Sequence, residues 1–202
     1  MGNTQSLINR IKILLAKAPP REIGVQEGPY RHAAVLVPLV LEERGLKILF
    51  TKRTHKVDQH KGQISFPGGA VDQSDLSFEH TALRETEEEV GLSPHQVEIV
   101  GRLDDTFTLV SNFIIHPVVG IVPSQYDYDL NSFEVEKIIQ VPLRAFSSCT
   151  PEQESSFTYQ NVTYKTPCYK YDGEVIWGAT ARIMRNFMEV VGKELLLLEQ
   201  AR

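Results

Sequence analysis

Residues 66 to 92 decide how the rest of the chain is read. They begin Phe66-Pro67-Gly68-Gly69 and end Thr81-Ala82-Leu83-Arg84-Glu85-Thr86-Glu87-Glu88-Glu89-Val90-Gly91-Leu92. A glycine pair lets a backbone approach a ligand closely and adopt angles closed to other residues. The segment after it has helical composition, and a helix is expected from Leu76 to Val90. Asp75 or Ser74 is expected to cap its start. Gly91 stands where a left-handed C-terminal residue belongs, and Pro94 prevents continuation. Each helical residue turns by about 100°, so Glu85, Glu88 and Glu89 share one face and Glu87 points away from Glu89. Leu76, Leu83 and Val90 are expected on the core side.

Three carboxylates on one patch repel each other. A hard divalent cation with oxygen ligands removes that repulsion. A solvated acidic face is the alternative reading of the glutamates taken alone. The adjacent Gly68-Gly69 shifts the balance toward a site, because such a loop can offer carbonyl oxygens to a metal and N–H groups to a phosphate. Arg84, four residues before Glu88, can pair with it and hold it in place.

Outward from this centre the chain reads as strands broken by a few helices. Residues 4 to 18 carry Leu7, Ile8, Ile11, Leu14 and Leu15 at helical spacing, and Pro19-Pro20 end the run. This helix covers an edge of the domain or packs on a second copy, which makes a homodimer an expectation. Residues 33–41 and 46–51 form an apolar hairpin around Glu42-Glu43-Arg44-Gly45. Residues 54–62 read as loop and 63–66 as a short strand. Further strands are expected at 97–103, 106–110, 113–122, 136–141, 156–164 and 166–171, with Asp172-Gly173 turning into 174–177. A helix at 179–190 closes the pattern, with Ile183, Met184 and Phe187 on one side and Trp177 anchoring it to the sheet. The fold class is α+β, a mixed sheet with helices packed on it. Residues 1–30 form an N-terminal helical extension and 31–202 the main domain.

The 202 residues suffice for a real core. A net charge of -5, from 21 basic and 26 acidic residues without a basic run, argues against nucleic-acid binding. No apolar run approaches the ~20 residues that span a membrane. Cys149 and Cys168 lack metal-ligand spacing and read as free thiols of a reducing compartment. A soluble cytoplasmic protein is expected, and the myristoylation-like start Met1-Gly2-Asn3-Thr4-Gln5-Ser6 does not outweigh that.

The central stretch resembles the Nudix box, which runs Gly, five residues, Glu, seven residues, Arg-Glu-aliphatic-x-Glu-Glu-x-Gly-aliphatic. Gly69, Arg84, Glu85, Glu88, Glu89, Gly91 and Leu92 match. The interval from Gly69 to Arg84 is one residue longer, Asp75 stands in the first acidic position, and Thr86 replaces the aliphatic residue. The preceding segment is similar to the signature of the coenzyme A diphosphatase subgroup, through Leu49, Thr51, Arg53, Gly62, Phe66, Pro67, Gly68 and Gly69. Asp58 stands where that signature has Arg. The resemblance covers roughly residues 31 to 190.

It implies a Nudix-type α/β/α sandwich and Mg2+-dependent hydrolysis, with Mn2+ able to substitute. The implied substrate is a nucleoside diphosphate linked to another group. Coenzyme A or acyl-CoA comes first, and ADP-ribose or dinucleotides are the alternative. A nucleotide sensor without catalysis is a rival from another class, opposed by the intact ligand set. The resemblance makes Glu85, Glu88, Glu89 and the Gly69 carbonyl the metal ligands. Glu89 and Glu134 are the candidate bases. Arg53, Gly68 and Phe66 are substrate-binding candidates, although Phe66 also suits packing. Arg84 supports the site. His55 and His60 can reach a phosphate from the loop, and His116 reads as structural.

Overall fold

The computed structural model describes residues 2–23, 30–42, 45–57, 60–108, 111–147, 155–159 and 162–200. The hairpin turn at Glu43-Arg44, and also Asp58 and Cys149, lie outside the described residues.

The first helix, α1 (Gly2–Lys17), precedes the hairpin of β1 (Arg31–Glu42) and β2 (Gly45–Arg53). Two short strands follow, β3 (Ile64–Ser65) and β4 (Gly68–Ala70), and lead into α2 (Phe78–Val90). The sheet is completed by β5 (Glu98–Arg102), β6 (Thr106–Phe107), β7 (Phe113–Val122) and β8 (Val135–Pro142). Its central path runs β3-β2-β1-β7-β5, with β4 on β1, β6 on β7 and β8 on β2. β1 and β7 are parallel, from Arg31↔Phe113 to Val40↔Val122, and the other pairs are antiparallel, so the sheet is mixed.

Alternation along β1 sorts its side chains onto two faces. Ala34, Leu36 and Val40 meet Ala82 and Val90 of α2, with Val118 and Val122 of β7. Val37 and Leu39 face a larger cluster that holds Ile183, Met184 and Phe187 of α3 (Gly178–Phe187). α3 continues through a π turn (Met188–Gly192) into α4 (Lys193–Gln200). Ile8, Ile11 and Leu15 of α1 belong to that same cluster, beside Val191 and Leu195, and Arg10 pairs with Glu194. Helices therefore cover both faces, as the α/β/α expectation requires. Of the two expectations for α1, the structure shows the first: its apolar face covers the domain, against Val100 of β5 and the chain's own C-terminal helices.

Two small hairpins form separate two-stranded sheets: β9 (Ser155–Tyr159) with β10 (Val162–Thr166), and β11 (Tyr169–Tyr171) with β12 (Glu174–Ile176). The expected single strand at 156–164 is thus two. Asp172 (φ 50°) and Gly173 (φ 76°) make the second turn. Trp177 is 40 % exposed at the N-terminus of α3, so it does not anchor that helix to the sheet. Among the described residues, no helix is long and apolar enough to cross a membrane.

Candidate active site

The site is assembled where β4, α2 and the end of β2 meet. Gly68 and Gly69 pair with Val35 and Ala34 of β1, which locks the glycine loop to the sheet. Gly68 has φ 149°, and a Cβ there would strike the Ala34 carbonyl. At Gly69 a Cβ would fall inside the Glu85 carboxylate. The missing side chain is the space that carboxylate uses.

Helix α2 begins two residues later than expected. Ser77 is its N-cap and accepts from the His80 N–H at 3.2 Å. Leu76 consequently lies before the helix and is 92 % exposed, not part of the core face. That face is Phe78, Ala82, Thr86 and Val90, spaced by four. Thr86 is buried and satisfies its hydroxyl by donating to the Ala82 carbonyl at 2.6 Å, so it replaces an aliphatic residue without an orphaned group. The C-terminus ends as expected, with Gly91 at φ 69° and its N–H on the Glu87 carbonyl. At the other end Phe78 stacks on His116, with centroids 3.5 Å apart. His116 is held between Asp105 (2.8 Å) and His32 (2.9 Å), and burial pushes its pKa down. Its structural reading stands: Asp105 comes from the link between β5 and β6, and His32 from β1, remote in sequence.

Asp75 is not a cap. Its side chain is fully buried and accepts from Arg84 Nε (3.0 Å) and Nη2 (2.9 Å), from Thr81 Oγ1 (2.8 Å) and from the Asp72 N–H (2.9 Å). The Arg84 guanidinium holds this carboxyl well below the usual carboxylate range, and Asp75 raises Arg84 in return. The extra residue before Arg84 does not break the pair. Arg84 also donates Nη2 to the Ala70 carbonyl at 3.2 Å, which ties α2 to the glycine loop. Its Nη1 reaches Glu85 at 2.8 Å and Glu88 at 3.2 Å. One guanidinium thus has an anchored edge on Asp75 and a second edge shared by two of the candidate ligands.

Glu89 has a different environment. It is 3 % exposed, and burial pushes its carboxyl up to about 8 against the opposing pull of Arg53. Oε1 lies 3.6 Å from Arg53 Nη1, and Oε2 is buried with no partner. Arg53 also reaches Glu134 Oε2 at 4.0 Å. Glu85 is raised as well, chiefly by burial. Glu88 is the most exposed of the three, at 59 %. The structure brings Glu85, Glu88, Glu89, Gly69, Arg84, Arg53 and Glu134 to one region. Phe66 is excluded from it: at 2 % exposure it packs on Phe50 with centroids 4.8 Å apart, and no base can reach its face. Of the loop histidines, His60 bonds Gln63 at 2.9 Å and His55 lies against Gly62.

Among the described residues no three acidic, histidine or cysteine side chains converge as a finished metal cage. The reason is local, because Arg84 Nη1 sits on Glu85 and Glu88 and Arg53 sits on Glu89. The residues nonetheless fit a hard divalent cation. The donors are all oxygen, Glu89 presents an orphaned buried oxygen, and the loop beside them is open only because position 69 has no side chain. Asp75 keeps Arg84 in place if its Nη1 edge is displaced.

Residues 30–146 match the Nudix domain family. A Photorhabdus laumondii protein described as an uncharacterized Nudix hydrolase NudL is 31% identical over 191 residues, 95% of this chain and 99% of its own length. A protein of the same description from an Enterobacter species is 36% identical over 162 residues, 80% of this chain and 83% of its own. Among solved structures, a MutT/nudix family protein from Enterococcus faecalis superposes with TM-score 0.53 at 16% identity, over 84% of this chain and 65% of that one, a likeness of fold alone. Matched by the family over more than half its length, and related to a Nudix hydrolase along nearly all of it, the chain belongs to the Nudix family.

Proposed function

We propose that the protein hydrolyses the phosphoanhydride of a nucleoside diphosphate joined to a second group, and that the substrate is coenzyme A or an acyl-CoA. The observation that carries the hydrolase reading is the unpartnered buried oxygen of Glu89 beside Glu85 and the glycine loop. A buried carboxylate oxygen without a donor costs free energy that a ligand can recover. Glu85, Glu88, Glu89 and the Gly69 carbonyl are the residues that would hold Mg2+ or Mn2+. When bound, the cation neutralises phosphate charge and makes water a better nucleophile near neutral pH.

The chain's own residues supply the rest. Arg53, with its Nη groups between Glu89 and Glu134, can take a phosphate oxygen in a charge-assisted bond. Glu134, or Glu89 once a bound cation has displaced its proton and left an oxygen unoccupied, accepts the proton of the attacking water. A new O–P bond forms, the bridging P–O bond breaks, and its electrons leave with the departing phosphate. Arg84, anchored on Asp75, keeps the helix and glycine loop in register during this exchange. With CoA the products are adenosine 3′,5′-bisphosphate and 4′-phosphopantetheine.

The residues from Leu49 to Gly69 that match the subgroup signature support the CoA assignment. Asp58, where that signature has Arg, favours the second reading, ADP-ribose or a dinucleotide. Incubation with Mg2+ and CoA, acyl-CoA, ADP-ribose, NADH and diadenosine polyphosphates, followed by product analysis, separates them. CoA is expected to turn over fastest. Faster turnover of ADP-ribose overturns the subgroup assignment, and no turnover of any overturns the hydrolase reading in favour of a sensor.

A further inference from the structure

Phe133 stands out among the large apolar side chains left in water. Its ring is 60 % exposed, yet its backbone is among the most firmly held in the region. Its N–H donates to Asn131 Oδ1 at 3.2 Å, and its carbonyl accepts from Thr54 Oγ1 at 2.5 Å. The next carbonyl, of Glu134, accepts from the Thr54 N–H at 2.8 Å. The N–H groups of Glu134 and Val135 both reach the Asn131 carbonyl, at 2.9 and 2.8 Å. Asn131 in turn donates to the Glu89 carbonyl at 3.0 Å. The turn is thus bolted to the last turn of α2 on one side and to the end of β2 on the other. A ring held in water on a fixed backbone is a preorganised apolar face that a ligand can cover at little ordering cost.

Its surroundings say which ligand. Phe133 is next in sequence to Glu134, whose carboxylate lies 4.0 Å from Arg53, itself 3.6 Å from Glu89. Lys56 leans on the same turn from the β2 side. Its ammonium rests on the Ser132 carbonyl at 3.2 Å, a neutral partner that leaves its charge available to an anion. A flat apolar face with a cation resting against its turn, beside the candidate diphosphate site, matches a phosphorylated nucleoside. Coenzyme A carries a phosphate monoester on its ribose, and the Arg that the subgroup signature offers nearby is Asp58 here.

We infer that Phe133 and Lys56 form the nucleoside subsite: the Phe133 ring stacks on the base, and the Lys56 ammonium binds the phosphate on the ribose. The inference rests on the diphosphate-hydrolase reading and deepens it to a specificity device. Both groups act by binding, so their loss raises KM more than it lowers kcat, which a merely structural role would not do.

The test is calorimetric titration of the full chain, in EDTA, with adenosine 3′,5′-bisphosphate and with AMP. Kinetics on CoA and dephospho-CoA in Mg2+ accompany it. Phe133→Ala is expected to weaken both nucleotides about tenfold, on the scale of base–aromatic stacking, and Phe133→Trp to retain binding. Lys56→Gln is expected to weaken the bisphosphate about tenfold and AMP little, with Lys56→Arg restoring it. The same variant should erase most of any preference for CoA over dephospho-CoA. Thermal melts of the variants, expected to match the parent because both side chains are exposed, exclude misfolding as the cause. Unchanged binding in both variants overturns the subsite, as does a parent that binds neither nucleotide. If the parent cleaves ADP-ribose and ignores CoA, the CoA reading and the Lys56 role fall together, while a rise in KM for ADP-ribose in Phe133→Ala still supports the stacking role.

Discussion

Removing the charge of Glu89 should flatten a pH dependence of stability that the burial of this residue creates. The unfolded chain releases this proton near 4.5 and the folded chain near 8. Between those values the folded state holds a proton that the unfolded state has lost, so stability is highest on the acid side and falls as pH rises. Each tenfold in proton affinity is about 1.4 kcal/mol. At 3 % exposure the residue has little water to relieve it, so roughly 5 kcal/mol is at stake and about 3.5 kcal/mol of it is lost between pH 5 and pH 8. The 3.6 Å approach of Arg53 and any water that enters make this an upper bound. The assay is urea unfolding of the parent and Glu89→Gln in EDTA at half-unit steps across that range. Subtracting the two curves cancels the other titrating groups. The difference should decline with pH by up to about 3.5 kcal/mol. Mg2+ at a hundredfold over its Kd should then stabilise the parent at pH 8 by about 2.7 kcal/mol, and Glu89→Gln by much less. Parallel curves in EDTA would refute the claim that buried Glu89 is protonated when no cation is bound.

The remaining predictions concern its neighbours. Glu88→Gln should abolish Mg2+-dependent turnover while the melting temperature stays within about 2 °C, since an exposed change of this kind is worth under about 0.5 kcal/mol; retained turnover removes Glu88 from the ligand set. Asp75→Asn should cost about 3 kcal/mol by urea unfolding, toward the low end for a broken buried pair because Arg84 keeps some contact with water. A loss below about 0.5 kcal/mol would make the pair a surface bridge in energetic terms. Gly69→Ala should lower kcat/KM by about a hundredfold or more, on the scale of an ångström-size displacement of a catalytic group, because the new methyl displaces the Glu85 carboxylate; unimpaired kinetics would remove Glu85 from the site.

The parts of this fold that the sequence reveals are those with local physical causes. The hairpin of β1 and β2, the left-handed Gly91 and the face shared by Glu85, Glu88 and Glu89 follow from period, turn chemistry and helical angle. The errors mark where a local signal has two readings. Asp75 has the side chain of a cap, and only the fold reveals that Arg84 has swung back nine residues to take it, leaving Ser77 to cap the helix and Leu76 outside. Phe66 beside a glycine loop suits stacking as well as packing until Phe50 is seen against it. Trp177 suits burial until it is found at a helix terminus in water. Residues brought together by sheet pairing left no signal at all. Thr54 reaches Glu134 only because β8 lies along β2, and His32 meets His116 only because β1 and β7 run parallel.

Arg84 links the legible and illegible halves of the site. Sequence spacing gives its pairing with Glu88, and the fold adds Asp75, Ala70 and Glu85. Three carboxylates compete for one guanidinium, and they are not equivalent. Asp75 is fully buried and holds two of its nitrogens, so that edge is costly to release. Glu88 is 59 % exposed and shares a single nitrogen with Glu85, so that edge is cheap to release. A divalent cation arriving at Glu85 and Glu88 would therefore displace the Nη1 contacts and leave the Asp75 pair intact. Arg84 keeps the acids partly neutralised when no cation is bound, and its Asp75 and Ala70 contacts tie α2 to the glycine loop in either case. Asp75→Asn should then weaken Mg2+ binding in calorimetric titration although Asp75 is not a proposed ligand, because Arg84 freed from its anchor can follow Glu85 and Glu88 and compete with the cation. Equal Mg2+ affinity in parent and variant would show that the anchor serves stability alone.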